Sequence, residues 1–301
     1  MNVFKYKDLE LSSFCLGCAQ FGQQYGIANK NQVSTNTTKC ILNAALDRGI
    51  NFFDTASSYG GSEKIIGEVL GRRNVIIATK LTAFKSKDSS KEILDSLKTS
   101  LGRLHRKHLD IIYIHDFEGF FANPDIFLDI LYDYKKRGLI RYIGISLYDP
   151  GDVDRALKYD EIDVYQIPHN ILSRDFESQG KMKLLQKKGK LIVQRSVFLQ
   201  GVLLMSTKNL PEYFGDVKGK LNTFYKYLDS YKVPREELLI QFIANKNFGP
   251  LVIGITSPKQ LETDVSAFEA HIDQVVFDKL AQRIPILEEK YTNPACWNLQ
   301  L

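Results

Sequence analysis

Short apolar runs alternate along this chain with longer stretches in which apolar residues return at helical spacing. The runs are Phe14–Gly17, Asn51–Asp54, Val75–Lys80, Asp110–His115, Tyr142–Ile145, Val164–Ile167, Leu191–Gln194 and Leu251–Ile253, and each predicts a strand. Predicted helices cover Thr35–Leu46, Ser62–Leu70, Lys91–Leu104, Pro124–Arg137, Gly151–Tyr159, Lys181–Lys188, Leu221–Tyr231, Arg235–Asn245 and Pro258–Phe268. In Lys91–Leu104 the apolar set is Ile93, Leu94, Leu97, Leu101 and Leu104. Pro124–Arg137 opens on proline and stops before Gly138, the usual asymmetry of helix ends.

Eight strands separated by helices within 301 residues predict an α/β fold, a closed (β/α)8 barrel of parallel strands, more readily than an open doubly wound sheet. No Gly-x-Gly-x-x-Gly follows the first run, which weighs against a Rossmann domain. Two short strands around Lys7-Asp8 predict a hairpin at the barrel bottom. The segment from Val197 to Gly219 is long and irregular and reads as a lid or binding loop. Beyond Lys290, with Cys296 and the single tryptophan Trp297, no element is predicted. Without a linker or a repeat, residues 1–301 read as one domain.

Composition narrows the function classes. Hydrophobic residues make up 44% and charged residues 25% of the chain, the balance of an ordinary globular protein. The net charge of +5 is spread without a long basic block. His105-Arg106-Lys107-His108 and Lys187-Lys188 with Lys190 read as solvated helix ends, so no nucleic-acid partner is expected. The mild positive balance suits an anionic ligand such as a phosphorylated cofactor. The first residues lack the apolar core of a signal peptide, and no apolar run approaches the ~20 residues of a membrane span, so a cytoplasmic location is expected. Cys15-x-x-Cys18 has metal or redox spacing, but no second pair follows and the flanks Phe14, Leu16 and Ala19 are apolar. Structural thiols and no metal are expected.

A barrel of this kind carries its active site at the C-terminal ends of its strands. The second strand ends in Asp54, and its loop carries Tyr59. The third ends in Lys80 and the fourth in His115. A lysine at the end of an apolar strand needs a carboxylate partner, and Asp54 is available. A phenol is a poor acid at neutral pH, and a neighbouring ammonium is expected to lower its pKa. A histidine can orient a carbonyl oxygen. Together the four predict a proton donor for an oxygen that gains charge during hydride transfer. Each alone has a plainer reading, Asp54 as a turn former and Tyr59 as a packed aromatic. His169 fits a pocket wall and a satisfied core histidine equally, while His105, His108 and His271 read as surface groups. Phe117, Phe120, Phe121, Phe198, Phe214 and Trp297 read as packing, with substrate-pocket walls as the alternative.

The run Asp54-Thr55-Ala56, Tyr59-Gly60, Ser62-Glu63 and Gly67, followed by Thr79-Lys80 and His115, resembles the signature of the aldo-keto reductases. The likeness continues through Leu101–Leu104, Asp110–His115 and Gly138–Ser146. It implies a nicotinamide-dependent reductase of aldehydes or ketones, with Tyr59 as general acid and Asp54, Lys80 and His115 completing a tetrad. It also implies that Ser146 and Gln166 hold the nicotinamide carboxamide, and that Arg195 stands where an aromatic ring usually stacks on the nicotinamide. Gly254, Thr256, Ser257, Lys259 and Gln260 fall in the segment implied to bind the adenosine phosphate. Two departures stand out. Leu147 replaces the usual asparagine, and Gln260 stands near the usual arginine, with Lys259 as a partial substitute. NADP(H) is the implied cofactor and NAD(H) the alternative. Gln194–Gly201 resembles a bacterial branch linked to sugars, so a small carbonyl compound, sugar-derived ones included, is the expected partner. The same resemblance implies a monomer or weak homo-oligomer. A second reading is a regulatory subunit that keeps the cofactor as a redox sensor without turnover.

Overall fold

The apolar runs become ten strands in a computed structural model that describes residues 1–27, 32–81 and 89–297. They are β1 (Val3–Tyr6), β2 (Leu9–Ser12), β3 (Phe14–Gly17), β4 (Phe52–Asp54), β5 (Ile76–Leu81), β6 (Leu109–Ile114), β7 (Ile140–Ser146), β8 (Ile162–Pro168), β9 (Leu191–Arg195) and β10 (Leu251–Gly254). Strands β3 to β10 are parallel and close into a barrel, with β10 hydrogen-bonded to β3. Helices on the outside cover the sheet, so strands such as β3, β5, β6 and β8 are buried at every position. That double burial is why their sequences are continuously apolar rather than alternating.

Two cores result. One lies inside the barrel and includes Phe52, Ala78, Ile111, Tyr113, Val164 and Val193; the other lies between sheet and helices. The predicted hairpin is present, with β1 antiparallel to β2. Its Tyr6, Leu9 and Leu11 join the inner core. The Tyr6 hydroxyl donates to the Asp163 carbonyl at 3.3 Å, and Lys7 pairs with the Asp163 carboxylate at 2.6 Å. Asp163 stands at the start of β8, so the hairpin closes the N-terminal end of the barrel.

Helix ends follow local chemistry. The Ser34 side chain caps the helix Thr35–Asp47 and the Ser257 side chain caps Pro258–Glu269, each accepting from a backbone N–H of the first turn, a contact that stabilises a helix by about 1 kcal/mol. Several predicted ends shift by one to three residues; the helix expected to end at Tyr159 stops at Ala156, since terminal turns obey weak signals. The segment Val197–Gly219 is a succession of 3-10 turns, Leu199–Leu204, Thr207–Asn209 and Glu212–Val217. The tail beyond Lys290 does contain structure. A short helix, Glu289–Thr292, and the turn Pro294–Cys296 place Tyr291 and Trp297 against Phe214. Among the described residues no helix is long and apolar enough to cross a membrane.

Candidate active site

At the C-terminal rim, the ends of β4 and β5 bring Asp54 and Lys80 together. The Lys80 ammonium donates to Asp54 Oδ1 at 2.5 Å and to the Thr55 carbonyl at 2.9 Å. Lys80 is 2% exposed and Asp54 5%, so each charge depends on the other. The second carboxylate oxygen of Asp54 accepts from Gln166 Nε2 at 2.7 Å, which ties β8 into the cluster. Lys80 Nζ lies 5.2 Å from the centre of the Tyr59 ring.

Tyr59 is placed by glycines. A Cβ on Gly60 would lie 2.1 Å from the Gly22 carbonyl oxygen, and one on Gly22 would lie 1.7 Å from the Tyr59 carbonyl oxygen. Gly60 also has φ +49°, a conformation that glycine adopts without a Cβ clash. The loop after β3 therefore packs directly onto the turn that carries the phenol.

The expected lowering of the Tyr59 pKa by Lys80 does not occur. Burial pushes the phenol well above its ordinary value, and the Asp54 carboxylate and the Tyr148 phenol add to the rise. Lys80 is paired with Asp54, and the cation that pulls Tyr59 down is Arg195. His115 follows β6 by one residue. Burial, then Lys80, then Arg195 lower its pKa to about 3, so its imidazole is neutral at any working pH. Its Nδ1 is buried and has no hydrogen-bond partner among the described residues.

Asp54, Tyr59, Gln166 and Arg195 line one cleft of about 270 Å³ that extends to Gly254, Thr256 and Gln260. Ser146 donates to Gln166 Oε1 at 3.4 Å. The Leu147 side chain, where the resemblance expects asparagine, is fully buried; its carbonyl accepts from Arg195 Nη2 at 3.1 Å. The Arg195 guanidinium lies 4.2 Å from the centre of the Tyr148 ring. At the far end, Gln260 Oε1 accepts from the Thr256 backbone N–H and hydroxyl, both at 2.9 Å, and its Nε2 donates to the buried Asp264 at 3.2 Å. Gln260 thus stitches its own loop and offers no cation. Lys259 is exposed, and Ser257 caps the helix that begins there.

Several wall residues carry no signal in the sequence. Tyr25 and Gln20 come from the loop after β3, where Cys18, read as a structural thiol, also lines the cleft. Tyr148 backs the cleft rather than lining it, its ring centre 6.3 Å from that of His115 and 4.2 Å from the Arg195 guanidinium, and it follows β7 by two residues. Phe198 lines the cleft, whereas Phe120 and Phe214 are core. His169 is a core histidine, fully buried between Gln194 Oε1 at 2.7 Å and Glu177 at 3.2 Å. Cys15 and Cys18 are buried free thiols, and no metal-binding cluster occurs among the described residues. A larger hollow of about 920 Å³ at the opposite end of the barrel is rimmed by Arg106, His108 and Arg141. Their partner is the buried Asp110, an arrangement of structural ion pairs.

The cleft suits an elongated ligand with a planar polar head and phosphates. Gln20 Oε1 and Arg195 Nε are buried polar atoms without a partner among the described residues. Gly254 leaves room for the Gln20 amide, since a Cβ there would lie 2.1 Å from Gln20 Nε2. A helix N-terminus opens beside Thr256, the polarity an anion needs.

The chain belongs to the aldo/keto reductase family, whose model matches residues 13–284, and is thus an oxidoreductase acting between carbonyl and CH–OH groups with a nicotinamide cofactor. It is 27% identical over 289 residues to L-galactose dehydrogenase of Arabidopsis thaliana, covering 86% of this chain and 85% of that one. It is 25% identical over 319 residues to a probable voltage-gated potassium channel subunit beta of the same plant, covering 93% and 96%. Its fold is shared with the aldo-keto reductase AKR11C1 of Bacillus halodurans in its holo form, at a TM-score of 0.77, 24% identity and coverage of 97% and 99%.

Proposed function

We propose that this protein reduces an aldehyde or ketone to the alcohol, or runs the reverse, with Tyr59 as the general acid. The observation that carries the reading is the buried Asp54–Lys80 pair beside the cleft, its ammonium 5.2 Å from the centre of the Tyr59 ring. A nicotinamide bound in the cleft supplies or accepts the hydride. Ser146 and Gln166 are proposed to hold its head group, with the plane of the Arg195 guanidinium stacked on the ring and its N–H edge left for another ligand, and Gly254, Thr256, Ser257 and Lys259 its adenosine end, with Gln260 bracing that loop.

The remaining chemistry belongs to the side chains. The substrate oxygen lies between the Tyr59 hydroxyl and His115, whose neutral imidazole has one N–H to donate. As the carbonyl carbon gains a hydride, the oxygen gains negative charge and takes the Tyr59 proton. Burial keeps Tyr59 protonated at neutral pH. An alkoxide is a stronger base than even a buried phenolate, so the transfer runs toward alcohol. The Asp54–Lys80 pair fixes the strand ends and holds a net neutral polar site, and Arg195 supplies the stabilising charge for the phenolate.

NADPH is the proposed cofactor, with Lys259 as the cation for its extra phosphate. One exposed cation contributes about 0.2–1 kcal/mol, so the preference over NADH is expected to be about fivefold or less. Likeness to the potassium channel subunit supports the second reading, a cofactor-holding regulator. Titration of nicotinamide fluorescence with each cofactor, then turnover of Tyr59→Phe against wild type on a panel of aldehydes, tests these readings. Saturable binding with a loss of about 10²–10⁴-fold in kcat on removing the phenol hydroxyl is the expected result. Saturable binding with slow cofactor release and no turnover on any carbonyl favours the regulator. An absence of binding to either cofactor overturns both.

A further inference from the structure

Arg195 has a feature that carbonyl reduction alone does not require. Among the residues described around the cleft, the other two charges, Asp54 and Lys80, neutralise each other. Arg195 at the end of β9 has no carboxylate partner there. Its Nη2 donates to the Leu147 carbonyl at 3.1 Å and its Nη1 to the Ser196 hydroxyl at 3.3 Å, both neutral acceptors. Its Nε is buried and has no partner among the described residues.

A guanidinium offers five N–H groups, and a buried one left unpaired is costly. The Tyr148 ring 4.2 Å from its centre holds the guanidinium plane in place. Tyr148 in turn packs near His115 and Phe117, ring centres 6.3 Å away in each case. The cation is therefore fixed one ring from the histidine and shares a cleft with Tyr59. Its field reaches both groups, pulling the Tyr59 phenol down and disfavouring charge on His115.

We propose that Arg195 binds a carboxylate of the substrate, so that the preferred substrates are carbonyl compounds carrying a carboxylate beside the reacting carbon, such as 2-oxo acids and oxidised sugar acids. This rests on the reductase reading above. A planar fork with free donors matches a carboxylate in two-point contact. Pairing supplies the carboxylate partner that Arg195 lacks among the described residues, and it orients the carbonyl toward Tyr59 and His115. The reaction balances as before: the carbonyl carbon gains one hydride from the dihydronicotinamide, which is oxidised by two electrons, and the oxygen gains the Tyr59 proton.

The test compares glyoxylate with glycolaldehyde, two-carbon aldehydes that differ in carboxylate against hydroxymethyl. Wild type is expected to favour glyoxylate by about tenfold or more in kcat/KM. In Arg195→Met the glyoxylate-to-glycolaldehyde ratio is expected to fall roughly 10- to 100-fold, the loss of a charge-assisted hydrogen bond, and Arg195→Lys is expected to restore part of it. Calorimetry with oxamate, an unreactive carboxylate, gives a readout free of turnover, and thermal melts confirm that each variant is folded. Oxamate is expected to bind the cofactor-loaded protein and to bind Arg195→Met at least about tenfold more weakly. Oxamate that binds equally to both proteins, or only by displacing the cofactor, overturns the proposal, as does an unchanged substrate ratio. Arg195-dependent oxamate binding with neither aldehyde reduced upholds the anion site and counts against the reductase reading.

Discussion

Replacing Lys80 with methionine isolates the Asp54–Lys80 pair. Both side chains are almost wholly buried, and the ammonium meets the carboxylate at 2.5 Å. Methionine fills most of the lysine volume, so the perturbation is loss of charge and of two hydrogen bonds, including that to the Thr55 carbonyl. Breaking a buried pair from one side costs about 3–5 kcal/mol, because the remaining charge has no partner. A chain of 301 residues unfolds with an entropy of about 0.6 kcal/mol per kelvin, so Tm should fall by about 5–8 °C. Adding Asp54→Asn removes the orphaned charge, and the double variant should regain a good part of the loss. Differential scanning calorimetry at pH 7 reads both. A Lys80→Met protein melting within about 1 °C of wild type, or a double variant no better than the single, would refute the claim that the pair is held by mutual neutralisation.

Three further outcomes follow from the same geometry. Gly22→Ala forces a Cβ into the Tyr59 carbonyl, so turnover should drop at least about tenfold through displacement of the phenol while the far end of the cleft still binds cofactor; unchanged kcat counts against that contact. His115 is held near pKa 3 against an ordinary 6.5, so the unfolded chain takes up its proton first and stability is lost as pH falls from about 6.5 towards 3. Burial raises Glu177 but His169 and Lys246 hold it down to about 2, which adds a loss as pH falls below its ordinary 4.5. In His115→Asn, the unfolding free energy from urea titrations between pH 6.5 and 5 should therefore fall less steeply than in wild type, by up to about 1.4 kcal/mol per pH unit. Phe214→Ala removes the ring that packs on Trp297 at 5.3 Å; emission from the single tryptophan should shift to the red, and an unshifted spectrum argues against docking of the tail.

The barrel was legible because parallel strands buried on both faces leave unbroken apolar runs, and Asp54, Lys80 and His115 interrupt that pattern where strands end. The electrostatics were not. Sequence spacing treats Lys80 as a free cation beside Tyr59, whereas three dimensions pair it with Asp54, whose carboxylate raises the phenol, and leave Arg195 as the cation that lowers it. Gln260 likewise reads as a lost phosphate ligand until its contacts with Thr256 and Asp264 show it bracing the loop. Tyr25 and Gln20 lie in a loop without periodicity, so only the folded chain places them in the cleft.

The hairpin at the barrel bottom bears on how the chain assembles. β1 and β2 are made before the barrel strands and pair locally, but Tyr6 and Lys7 dock on Asp163, more than 150 positions later in the chain. During synthesis the hairpin's apolar face therefore waits exposed until β8 has emerged and the sheet can curl around it. Closure then links an earlier-made and a later-made part of the chain, at the end opposite the cleft, so a label or fusion attached before β1 leaves the cleft clear.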